Sequence, residues 1–231
     1  MIRRTLLLVG LLVGAGAAIA LLGGRAQAAR PVPPKVGSAP VAAAKPKPRL
    51  SAGSTKAEAS VGAPRAVIYD NLGPDNSYSL PGGWCIDGTA AGCGVFAVEA
   101  MPFVGNGGRV TQIDLALTYF GGTNAAIVQL AADDGGLPGT VLRSWTVEGM
   151  PFYGTCCEVT TVTASPSIPV RAGTQYWVAV LPFAADTSEV WNWTTDDLQG
   201  SFASDLGSGW GPYFDHVSAF RVLGCQKLCK A

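Results

Sequence analysis

The stretch "AAIVQLAADDGGLPGTVLRSWTV", Ala125 to Val147, decides the fold. Ala126, Val128 and Leu130 share one side of an extended chain, because side chains two apart point the same way. Asp133-Asp134-Gly135-Gly136-Leu137-Pro138-Gly139 then gathers polar residues, glycines and a proline into one short connection, and an apolar run resumes at Val141. Gly accepts positive φ and Asp bonds to nearby backbone, so the middle reads as a turn between two strands. The adjacent carboxylates of Asp133 and Asp134, with loop carbonyls, also suit a hard cation such as calcium, although the sequence has no EF-hand spacing. The turn needs no cation to explain it.

Outward from this pair, strand signals recur between turn residues. In "RVTQIDLALTYF", Ile113, Leu115, Leu117 and Tyr119 alternate with Asp114, Ala116, Thr118 and Phe120, the period of a strand with one buried face. Further strands are expected at Ala66 to Tyr69, Val95 to Ala100, Val141 to Val147, Glu158 to Thr163, Gln175 to Leu181, Val190 to Thr194 and Ser218 to Leu223. None carries a helical stripe, and Gly 30 and Pro 16 scattered among Val, Thr, Trp and Tyr favour short strands joined by turns. The expected fold is all-β: a two-sheet antiparallel sandwich of jelly-roll type over residues 66–231.

Upstream, Arg3-Arg4, the apolar run "LLLVGLLVGAGAAIALLGG" and Ala26-Gln27-Ala28 supply the three parts of a secretory signal, with cleavage expected after Ala28. Leu6 to Gly24 also approaches the length of a bilayer span, so residues 1–28 are either a signal peptide or a retained membrane anchor. Residues 29–65 lack aromatics and are rich in Pro, Ala and Lys, the composition of a disordered, semi-stiff linker.

The formal net charge of zero hides an asymmetry. Residues 1–65 hold ten Lys/Arg against one acid, and residues 66–231 hold six against fifteen. An acidic domain without a basic stripe repels a phosphate backbone, which excludes nucleic acid as the expected partner.

The ordered segments "YDNLGPDNSY", "GGWCIDG", "YFGGTNAAIVQLAADDGGLPGTVLRSW", "YGTCCEV", "AGTQYWVAV", "VWNW" and "SAFRVLG" resemble uncharacterised bacterial exported domains of the choice-of-anchor type, which accompany PEP-CTERM sorting tails. The resemblance spans about Val67 to Gly224 and implies an exported β-sandwich with variable attachment and no known reaction. The ending "GCQKLCKA" departs from tailed relatives, so attachment is expected only through the N-terminal segment.

Export makes disulfides the expected use of Cys85, Cys93, Cys156, Cys157, Cys225 and Cys229, although six cysteines allow 15 complete pairings. Cys85 and Cys93 flank the flexible "IDGTAAG" and are expected to close a small loop; Cys225 and Cys229 close another if the intervening residues turn. Cys156 and Cys157 either bridge each other or point to opposite faces and different partners. Zinc is disfavoured by the absence of a C-x-x-C pair and by a single histidine.

That histidine, His216, stands beside Asp215 without a G-x-S-x-G elbow, and reads as locally bonded rather than catalytic. Asp186, Glu189, Asp196, Asp197 and Asp205 offer carboxylates for a glycoside hydrolase, a lesser alternative to solvated loops. Aromatics give the stronger lead. Trp191 and Trp193 share a strand face, and Trp210 and Tyr213 sit in "GSGWGPYFDH"; beside Asn192, Asp196 and Asp197 they form a candidate sugar platform, against the plainer reading of core packing. The sequence thus points to an exported, non-catalytic envelope or extracellular module with a glycan or protein partner, a carbohydrate-binding module as the alternative, and no required cofactor beyond an optional calcium ion.

Overall fold

The computed structural model describes residues 66–225 and the backbone of Lys35 and Val36. The signal or anchor reading of residues 1–28, nearly all of the linker reading of residues 29–65, and Cys229 lie outside the described residues. Among the described residues no helix is long and apolar enough to cross a membrane.

The Asp-Asp-Gly-Gly segment is a hairpin turn. β7 (Ala125–Asp134) pairs antiparallel with β8 (Leu137–Glu148), leaving only Gly135 and Gly136 between them at φ 63° and 87°. Two consecutive residues at positive φ make the tight turn whose twist matches that of the flanking strands, a geometry glycine adopts without steric cost. Asp133 fastens the turn to its neighbour β10 (Gln175–Pro182). Its Oδ1 accepts from Gln175 Nε2 and Trp177 Nε1, each at 2.8 Å, and its Oδ2 accepts from the Gly136 N–H at 3.1 Å. Desolvation pushes the Asp133 carboxyl up, but the Trp177, Gly136 and Gln175 donors outweigh it and hold the carboxyl below its ordinary range. Asp134 is exposed. Asp133→Ala is therefore expected to cost about 1–3 kcal/mol in urea unfolding, against about 0.5 kcal/mol or less for Asp134→Ala.

The expected all-β class is observed, but the strands form three antiparallel sheets rather than two. The largest has six strands in the order β13 (Gly211–His216), β12 (Gln199–Asp205), β4 (Val98–Val104), β10, β7, β8. A second runs β1 (Lys35–Val36), β3 (Gly83–Asp87), β11 (Ser188–Asn192), β6 (Leu117–Gly121), and a third β2 (Ala66–Asp70), β14 (Phe220–Cys225), β5 (Arg109–Leu115), β9 (Thr160–Pro169).

The third sheet exists as a separate body because the strand expected over Arg109 to Phe120 breaks at Ala116. There the chain leaves β5 for β6, and Ala116 N–H donates to Ala219 O, Asn192 N–H to Ala116 O and Ala219 N–H to Asn192 O. These three bonds link the two smaller sheets where their strands end. Asp114, Ala116 and Thr118, which the alternation had placed on the solvent side, are buried. Trp84, Ile86, Met101, Phe103, Ile113, Leu117, Val128, Leu130, Val178 and Trp191, drawn from all three sheets, then share a single apolar core. Such burial contributes about 25 cal/mol per Å² of apolar surface, which makes this cluster the main stabilising element.

Candidate functional site

β11 ends at Asn192, and the chain then passes Trp193 and a short loop before entering β12 at Gln199. Trp193 seats its ring over Gly82, where an added Cβ would lie 2.2 Å from the indole, and its backbone N–H donates to Gly82 O at 3.0 Å. On this indole lies the His216 imidazole, with centroids 4.3 Å apart and planes 17° from parallel.

His216 ends β13 and is held from both sides. Its Nδ1 lies 2.5 Å from Asp215 Oδ1, and its Nε2 2.7 Å from Asp197 Oδ1. The backbone of Asp197, at φ 59°, adopts the left-handed turn conformation that Asp tolerates. The local-bonding reading of His216 thus has a specific form: a clasp that fixes the loop at Asp197.

The clasped loop walls two adjoining clefts. One, of ≈ 250 Å³, is lined by Tyr69, Met101, Pro102, Leu198, Gln199, Gly200, Ser201, Val217 and Phe220. The other, of ≈ 410 Å³, is lined by Asp70 to Pro74, Thr195, Asp196 and Leu198. Leu198, 43% exposed, is the shared wall. Tyr69 stacks on Phe220 at 4.6 Å; burial first, then the nearby carboxylates of Asp70 and Asp196, pushes its phenol up to about 12. It therefore remains a neutral donor. Tyr69 and Leu198 were not singled out in the sequence, and no spacing rule would have joined β2 to the β11–β12 loop.

The sequence-expected sugar platform is dispersed. Trp191 and Asn192 are fully buried: Trp191 Nε1 donates to Ala219 O, and Asn192 bonds Thr118 Oγ1 and Ser79 O. Trp193 lies beneath His216. "GSGWGPYFDH" belongs mostly to β13 rather than a loop, and its aromatics part company. Tyr213 stacks on the core residue Phe202, whereas Trp210 packs against a separate cluster of Ala100, Ala131, Trp177, Ala179 and Ala203. Of the seven residues, Asp196 alone lines either of these two clefts, and Asp197 is the clasp residue.

The other carboxylates are likewise scattered. Asp186 accepts from Thr123 Oγ1, Asp205 from the Gly207 and Gly209 N–H groups, and Glu189 lies in the core. Cys85, Asp87 and Cys93 come close enough to resemble a metal cluster, but the two cysteines are bonded to each other, with sulfurs spent in the bridge.

The disulfide expected between Cys85 and Cys93 is present, and Cys156 and Cys157 bridge each other. Cys225 is also disulfide-bonded. The vicinal pair sits in a loop held by the Tyr78 hydroxyl, which lies 3.0 Å from Thr155 O and 3.1 Å from Glu158 O. Exchange requires a thiolate to reach a disulfide sulfur. Cys156 is exposed and Cys85 is 1% exposed. Peptide mapping under graded dithiothreitol is expected to find Cys156–Cys157 opened before Cys85–Cys93; the reverse order would contradict this reading.

No protein-family model, curated protein or solved structure matches the chain.

Proposed function

We propose that the chain is an exported, non-catalytic β-sandwich module that binds an envelope or extracellular ligand in the clefts on either side of Leu198. The two smaller sheets act in this reading as the halves of one layer facing the six-stranded sheet, in the manner of a jelly roll. The observation that carries the binding role is the clasped loop: the His216 ring, set between Asp197 and Asp215 and stacked on Trp193, frames ligand-sized space on a disulfide-stapled scaffold. The basic-apolar N-terminal grammar supports export with the mature N-terminus near Ala29.

Sedimentation of the full chain with isolated envelopes of the producing cells tests the reading. The parent is expected to co-sediment and Leu198→Arg to stay in solution, with no product released from envelope polymers and no response to a chelator. Equal sedimentation of both proteins would contradict the cleft assignment, and product release would contradict the non-catalytic one.

A further inference from the structure

We propose that the paired cleft takes an uncharged oligosaccharide, with one sugar ring against Tyr69 and the chain continuing past Leu198 toward Asp196; this rests on the cleft being the binding site. The first cleft defines the class. Tyr69 is its only ionisable lining residue, and that phenol is neutral; the rest of the lining is apolar side chains, the Gln199 amide, the Ser201 hydroxyl and the Gly200 backbone. A cation placed there meets no counter-charge in the wall, and an anion meets no basic group.

What does match is a group with an apolar face and a hydroxylated edge. The partly exposed side chains of Tyr69 and Pro102 and the exposed side chain of Leu198, laid over the buried floor of Met101, Val217 and Phe220, receive the CH face of a pyranose ring, and Gln199 and Ser201, both exposed at the rim, reach its hydroxyls.

The second cleft defines the length. It opens from the same Leu198 wall, and the two volumes together fall in the ~300–1,000 Å³ range of small-molecule sites, enough for more than one ring. Its acids are not a bare anionic patch. Asp70 accepts the Leu72 N–H at 3.0 Å and lies 3.8 Å from Arg221, so part of its charge is answered within the protein. Asp196 projects into solvent as an acceptor, the role a sugar hydroxyl requires. The net acidity of the rim turns away phosphorylated and sulfated glycans, which selects neutral chains.

Isothermal titration of the full chain with neutral tri- to penta-saccharides, and in parallel with a Lys-rich peptide, decides the matter. Neutral saccharide is expected to bind, with affinity at least about tenfold lower in Leu198→Arg and about three- to tenfold lower in Gln199→Ala and in Ser201→Ala, the usual loss for one hydrogen bond. All three positions are at the surface or rim, so their melting temperatures should match the parent, and the two alanine variants test the cleft without adding charge. Saccharide binding that ignores all three substitutions would overturn the cleft itself. Peptide binding sensitive to Leu198→Arg, with no saccharide binding, would keep the cleft and overturn the sugar. Failure of both probes to bind overturns the proposal as a whole.

Discussion

At pH 9, Glu189→Gln is expected to be more stable than the parent by roughly 3–5 kcal/mol, and at pH 4 the two should be indistinguishable. Glu189 lies on β11 with its side chain in the core, fully buried, and neither carboxyl oxygen has a hydrogen-bond partner. Burial pushes its carboxyl up to about 8; the Ala125 N–H, which donates to Thr123 O, offsets this only in part. A folded-state value above the unfolded one means that the native protein binds the extra proton. Stability is therefore full below the unfolded value near 4.5, falls as pH climbs, and levels off above about 8. Gln imitates the protonated acid and removes Glu189's share of the slope. Glu99, also fully buried and raised by desolvation against one bond from Ser204, adds to the slope with the same sign. Urea unfolding from pH 4 to 9 measures the effect; parallel pH profiles for parent and variant would contradict it.

Arg221→Met is expected to cost roughly 2–4 kcal/mol, and adding Asp114→Asn should recover part of that loss. Asp114 is 1% exposed at the centre of the third sheet. Its Oδ2 accepts from Arg221 Nε at 3.1 Å and Nη2 at 2.8 Å, while its Oδ1 accepts from Gln112 and Thr161. The four bonds tie β5, β9 and β14 together. Removing the guanidinium leaves a buried carboxylate with two neutral donors, which is why neutralising it should help. A double variant less stable than Arg221→Met would show that Asp114 is held by something other than the ion pair.

The hairpin at Asp133 to Gly136 was legible because a two-residue turn is a local affair: both glycines and both flanking strands sit within one stretch of chain. The Cys85–Cys93 bridge was legible for the same reason, since the intervening residues close on themselves. The break at Ala116 was not. Alternation continues smoothly through Leu115, Ala116 and Leu117, and what divides the strand is a pair of distant backbone partners, Asn192 and Ala219.

Tryptophan spacing put Trp191 and Trp193 two positions apart on an extended run, yet said nothing of which layer covers each. The core takes Trp191 and His216 covers Trp193, so the candidate sugar platform dissolves where the chain packs. The clefts were out of reach because β2 and the β11–β12 loop lie far apart in sequence and meet only in the folded chain. The Asp197–His216 pair was hidden similarly: an exposed loop acid and a strand-end histidine carry no shared motif.

Hydrogen exchange of the full chain, with and without the neutral oligosaccharide that binds most tightly, tests the central claim most directly. The clasped-cleft account predicts slower exchange in residues 195–201 and 69–73 on ligand addition, with residues 206–214 unchanged. Protection confined to the Trp210 and Phe214 segment, or protection at neither place, would contradict it.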